Sequence, residues 1–172
     1  MEDLIDGFRQ DTVSDILGAD RAVDIIVNDP SRFDEVVPGL NDPSQHVREQ
    51  CAKTIRHIAQ LEPHLLTDHK QILLDRAEET DNTTIKGSLI WCLPRVPLDE
   101  PEQQRVLYLL ESCVYSGHTF VVIQALEALA KLGERYPDFR EPAVDLLQSR
   151  SQDSNRYVAS RAQDALSILP NE

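Results

Sequence analysis

Val47-Arg48-Glu49-Gln50-Cys51-Ala52-Lys53-Thr54-Ile55 contains a pattern that the chain repeats three more times. Its elements, Val47-Arg48, Cys51-Ala52 and Ile55, return as Ile85-Lys86, Leu89-Ile90 and Leu93. They return again as Val121-Val122, Ala125-Leu126 and Leu129, and last as Val158-Ala159, Ala162-Gln163 and Leu166. The anchors Val47, Ile85, Val121 and Val158 stand 38, 36 and 37 residues apart. A fixed period in this range marks a repeat array, in which each unit buries its apolar face only against its neighbours.

Working outward from that stretch, every long segment reads as helix, and none shows sustained period-2 alternation. Phe33, Val36, Val37 and Leu40 form one apolar stripe, and Val47, Cys51, Ile55 and Ile58 form the next. Between them, Asp42 is placed to cap a helix, with Pro43 at its first position and Gln45 reaching back. Pro30 and Pro101 fit helix starts in the same way. The expected helix pairs are 30–40 with 43–61, 67–80 with 83–96, 101–116 with 118–135, and 139–150 with 154–168. Ile72, Leu73, Leu74 and Ala77 carry the first helix of the second pair. Residues 1–28, with Leu4, Ile5, Phe8, Val13, Ile16 and Leu17, read as capping helices broken near Gly18. Pro94 cannot donate to the carbonyl of Ile90, so it should kink or end its helix.

Composition narrows the function classes. The net charge is −13, from 30 acidic against 17 basic residues. Such a surface repels phosphate backbones and anionic lipid, which disfavours nucleic acid and membrane as partners. Cys51, Cys92 and Cys113 fall in apolar helical stretches without CxxC spacing. They read as buried reduced thiols, in keeping with a cytoplasmic location. Met1-Glu2-Asp3 is acidic where a signal or transit peptide would be basic.

The segment Val36-Val37-Pro38-Gly39-Leu40-Asn41-Asp42 followed by Val47-Arg48 resembles the signature of the HEAT repeat family. A proline falls in the first helix, an aspartate in the turn, and Val-Arg five residues later. Asp153 and Val158 repeat that interval. In the second unit Asp81 is one residue too close, and in the third Ser116 stands in for the aspartate. The resemblance implies an all-α, α-α superhelix of about four HEAT-like helix pairs after N-terminal capping helices. It would be a single domain over 1–172, with a cap at 1–29 and repeats at about 30–64, 65–99, 100–137 and 138–172. First helices would line the convex side and second helices the concave side. The resemblance also implies binding to another macromolecule.

No sequence signature of a hydrolase, zinc protease, dinucleotide fold, P-loop or calcium loop is present, and no cofactor is expected. His64 and His69, flanking Asp68, lack the spacing of a helical metal pair. Constellations on the second helices are more informative. Taking about 100° per residue, Trp91 and Arg95 fall beside the core stripe of their helix. The repeat interval places Lys53, Trp91, Glu127 and Asp164 in one row and His57, Arg95, Lys131 and Ile168 in the next. With Arg56 beside them, Lys53, Arg56, His57, Trp91, Arg95 and Lys131 make a basic stripe on an acidic protein. Exposed helix faces are often no more than solvated charge. As a site, the stripe would receive an acidic-hydrophobic peptide or helix of a partner protein, with Trp91 as apolar anchor. The expectation is therefore a non-enzymatic scaffold, adaptor or regulatory subunit. The alternative is a HEAT-like glycosylase of alkylated DNA, loosely echoed by Trp91, Arg95, Lys131 and Asp164.

Overall fold

The four interhelix turns share one side-chain device. A hydroxyl or carboxylate accepts from the backbone N–H two residues on, and that second residue begins the next helix. The N–H of Ser44 donates to Asp42 Oδ1 at 2.9 Å, that of Asn82 to Thr80 Oγ1 at 3.2 Å, that of His118 to Ser116 Oγ at 3.2 Å, and that of Asn155 to Asp153 Oδ1 at 2.7 Å. Asp42, Thr80, Ser116 and Asp153 keep the 38, 36 and 37 spacing of the core anchors. The turn acceptor of the second unit is thus Thr80 and not Asp81. Ser44, not Asp42, is the helix cap, accepting from Val47 N at 3.4 Å. Gln45 reaches forward to Glu49. Asn82 and Asn155 cap the equivalent helices.

The structure is a computed structural model that describes residues 3–10 and 15–170. It contains α1 (Leu4–Gln10), α2 (Asp15–Asn28), α3 (Phe33–Val36), α4 (Gln45–Leu61), α5 (Lys70–Glu79), α6 (Thr83–Cys92), α7 (Glu100–Val114), α8 (Thr119–Arg135), α9 (Arg140–Ser151) and α10 (Arg156–Ile168), with no strand among the described residues. Gly18 lies inside α2, so the expected break is not there; Val13 lies outside the described residues. The first helix of the first unit is mostly tight 3-10 turn around Pro30 and Pro38, with one α-helical turn between. Asp99 begins α7 through a reciprocal capping box with Glu102, which leaves Pro101 at the second position.

The helices α2, α4, α6, α8 and α10 pack side by side as one continuous layer, while α5, α7 and α9 approach one another far less closely. The second helices of the units, α4, α6, α8 and α10, therefore share one layer. One continuous core joins the units. Val47, Cys51, Ile55, Leu89, Leu93, Ala125, Leu129 and Ala162 are buried in it. Leu166 is only half-buried, and Ala165 is buried in its stead. Ile72 faces out from α5 at 46% exposure.

All three cysteines are buried and free. Burial pushes the thiols of Cys51 and Cys92 up to about 12, which leaves them protonated and unreactive. One buried polar residue stands out. The Gln50 side chain is 1% exposed, and neither of its amide atoms has a hydrogen-bond partner among the described residues.

Candidate functional site

Pro94 organises the groove. It has no N–H to offer the carbonyls of Ile90 and Trp91. The α-helix therefore ends at Cys92, and the chain passes through a 3-10 turn, Leu93–Arg95, before becoming extended at Val96. The helix ends there; it does not kink and continue. The open carbonyl of Trp91 is met by Nη1 of Arg95. A cation is favourable at this end of a helix, where carbonyls point outward. The same fold-back lays the Arg95 guanidinium 3.3 Å from the centre of the Trp91 ring. Arg135 of α8 fastens the turn from the next unit, donating to the Pro94 carbonyl at 2.9 Å.

Trp91 is half-buried and engaged on several sides. Arg56 of α4 brings a second guanidinium to 4.8 Å from its ring centre. Its Nε1 donates to Glu127 Oε2 on α8 at 2.8 Å. The other oxygen of Glu127 accepts from Nη2 of Arg161 on α10. Arg161 also lies 3.8 Å from Asp164. A linked chain of polar contacts thus runs across three units, through Trp91, Glu127, Arg161 and Asp164. Arg161 was absent from the sequence-based stripe. Its position three residues before Asp164, on the same helical face, was the available signal.

The six stripe residues are placed unequally. Arg56, Trp91 and Arg95 are in direct contact. Lys131 lines the same groove and pairs with Glu134 at 2.7 Å. His57 faces the cap helix, with Nδ1 3.5 Å from Asp20 Oδ1. Lys53 is half-buried on α4, about one turn before Arg56. Burial lowers Arg56 from its ordinary value and pulls Arg95 down to about 10, which still leaves Arg95 charged at neutral pH. Arg95 is therefore not an exposed rim charge.

Two adjoining hollows open along the second helices. One of about 680 Å³ is lined by Gln60, Pro63, Trp91, Arg95, Lys131 and Glu134. The other, of about 430 Å³, is lined by Arg95, Glu127, Lys131, Arg161, Asp164 and Ile168. Arg95, Lys131 and Glu134 border both, so the two form one groove. Ile168, 56% exposed, supplies apolar surface in the second hollow, above the buried Ala130 and Ala165. Asp164 borders the second hollow with a 65% exposed side chain. Elsewhere, His69 pairs with Asp34 and His64 with Glu62. No set of three His, Cys, Asp or Glu side chains among the described residues is placed to hold a metal ion. No described helix is long and apolar enough to cross a membrane.

Comparison with known proteins agrees with this architecture. The HEAT repeat family model matches residues 33–61. A designed armadillo repeat protein in complex with the peptide (KR)4 superposes with a TM-score of 0.67 at 15% identity, over 97% of this chain and 80% of that one. Computationally designed armadillo repeat proteins for modular peptide recognition give 0.62 at 16% identity, over 97% and 82%. An archaeal HEAT-like repeats protein from Thermococcus onnurineus NA1 gives 0.57 at 14% identity, over 95% and 84%. No curated protein matches the chain by sequence. A HEAT repeat matches the first full unit, and the array continued through α10 has the fold of HEAT-like and armadillo repeat proteins.

Proposed function

We propose that this chain is a non-enzymatic interaction module, a scaffold, adaptor or regulatory subunit, that receives a peptide or helix of a partner protein along its second helices. In this reading residues 1–172 act as one domain. The observation that carries it is the groove itself, which crosses repeat boundaries and is bordered by Arg95, Lys131 and Glu134 along its length. A groove of that form suits an extended or helical segment better than a small molecule. Designed armadillo repeat proteins of the same fold were made for modular peptide recognition, and one of them holds the peptide (KR)4. The likeness supports the mode of binding only.

Charge points the other way for this chain. Lys53, Arg56, His57, Arg95 and Lys131 lie on second helices of a protein whose net charge is −13, so they focus acidic segments onto that layer. Trp91 serves as a wall that holds guanidiniums, and the apolar side chains of the ligand rest on Ile168.

A photo-crosslinking residue at Gln60 tests this reading. In extracts of the native source it should capture a partner protein, while the same residue at Tyr108, on the outer face of α7, should capture none. Adducts from Tyr108 with none from Gln60 would move the binding surface off the second helices.

A further inference from the structure

Most arginines of this chain whose contacts are defined have an acidic partner. Arg9 is paired with Asp6 and Asp42, Arg32 with Glu35, Arg105 with Asp75 and Glu78, Arg150 with Asp153, and Arg161 with Glu127. With 30 acidic residues against 17 basic ones, carboxylates are not scarce. Of the arginines around Trp91, Arg135 donates to the Pro94 carbonyl instead of a carboxylate, and Arg56 and Arg95 meet at the indole. They converge on one indole ring from two units, both half-buried, and among the described residues neither has a carboxylate at ion-pair distance. Glu127, the acidic group beside them, is already committed to Trp91 Nε1 and to Arg161. Lys131 and Glu134 across the groove satisfy each other.

Two neighbouring cations, partly withdrawn from water and sharing the already committed Glu127 as their nearest acidic group, are costly in the free protein. Their repulsion adds to burial in lowering Arg95. What offsets this is an anion with two charges and enough oxygens to accept from two planar forks. A single carboxylate neutralises only one of them. A phosphate monoester carries nearly two negative charges at neutral pH and three strong acceptor oxygens. Trp91 holds the two guanidinium carbons 3.3 and 4.8 Å from its ring centre. Arg95 spends Nη1 on the Trp91 carbonyl and keeps its other donors, while Arg56 makes no hydrogen bond among the described residues.

We infer that Arg56 and Arg95, backed by Trp91, form a site for a phosphate monoester carried by the bound segment, a phosphorylated side chain of the partner protein. The inference rests on the groove reading above and names the modification that would switch binding on. Trp91 is the single tryptophan of the chain, so its emission reports directly on the site.

The test is titration of the intact protein with N-acetyl-phosphoserine amide, with inorganic phosphate and with N-acetyl-glutamate amide, followed by Trp91 fluorescence. The expected result is a saturable change with phosphoserine, at least about tenfold weaker with the glutamate analogue. Arg56→Gln should weaken phosphoserine binding at least about tenfold, with its melting curve recorded because Arg56 also rests on the Trp91 ring. Arg95→Gln should do the same, with its melting curve recorded because Arg95 also closes a helix end. Equal responses to phosphoserine and glutamate would overturn the proposal in favour of a plain carboxylate site. Saturation by inorganic phosphate with no response to phosphoserine would make it a free-ion site and overturn it as well. No response at all would do so outright. None of these outcomes touches the crosslinking result at Gln60, so the groove reading stands or falls separately.

Discussion

Replacing Arg95 by Ala removes both the guanidinium stacked on Trp91 and the donor that closes the Trp91 carbonyl. A half-buried cation–π contact and a charged hydrogen bond together should cost about 1–3 kcal/mol. Urea unfolding followed by far-UV circular dichroism measures this, and Arg95→Lys should recover only part, because an ammonium lacks the flat fork. The opposite sign is expected at Gln50. Its amide is buried and unpaired. Gln50→Met keeps the length and removes the unpaired polar atoms, so stability should rise by about 1 kcal/mol, a melting increase of roughly 2–4 °C for a chain of this size. A fall in melting temperature would mean that the amide is satisfied in solution. Neither feature was legible in the chain. Arg95 read as an exposed charge because its helix angle placed it off the core stripe, and only the fold-back forced by Pro94 covers it.

Second helices were easier to read than first helices, for a reason visible in particular elements. Along α4, α8 and α10, apolar positions recur with helical period and polar positions face the groove, so the pattern registers directly. In the first unit, Pro30 and Pro38 break the opposite segment into 3-10 turns, and only Phe33–Val36 is α-helical. The apolar spacing survives that change, so periodicity alone could not distinguish one continuous helix from three short pieces. Two substitutions probe the elements themselves. Leu129→Ala in α8 should leave a cavity in the core and cost about 2–5 kcal/mol by chemical denaturation. Asn82→Ala removes the cap on Ile85 N and the bond to Glu49 Oε1, and should cost about 1–2 kcal/mol in the same measurement.

Across the whole molecule, several carboxylates are held below their ordinary range by partners in other units or turns. The Arg32 guanidinium does this for Glu35, the Ser44 N–H and then Arg9 for Asp42, and Arg105 for Asp75. Each folded value lies below its ordinary one of 4.5 or 3.8. Their contribution is therefore complete above those ordinary values and disappears as pH falls through the lower, folded ones. Mild acidification relieves repulsion in a chain of net charge −13, so the thermal midpoint should hold until about pH 4.5 and then drop. A melting series from neutral pH to about pH 3 measures this, and a steady decline beginning near neutrality would point to a different titrating group. The sequence by itself determined the array, its period, the buried stripe of each second helix and the rows that Trp91, Glu127 and Asp164 share. Those follow from apolar burial, which repeats wherever the units repeat. Tertiary structure alone decided that Arg95 and Arg56 close over Trp91, that Arg161 joins Glu127, and that Leu166 is left half-covered on α10. Contacts of long polar side chains depend on how closely neighbouring helices approach and which backbone groups are left without partners, and one-dimensional spacing encodes neither.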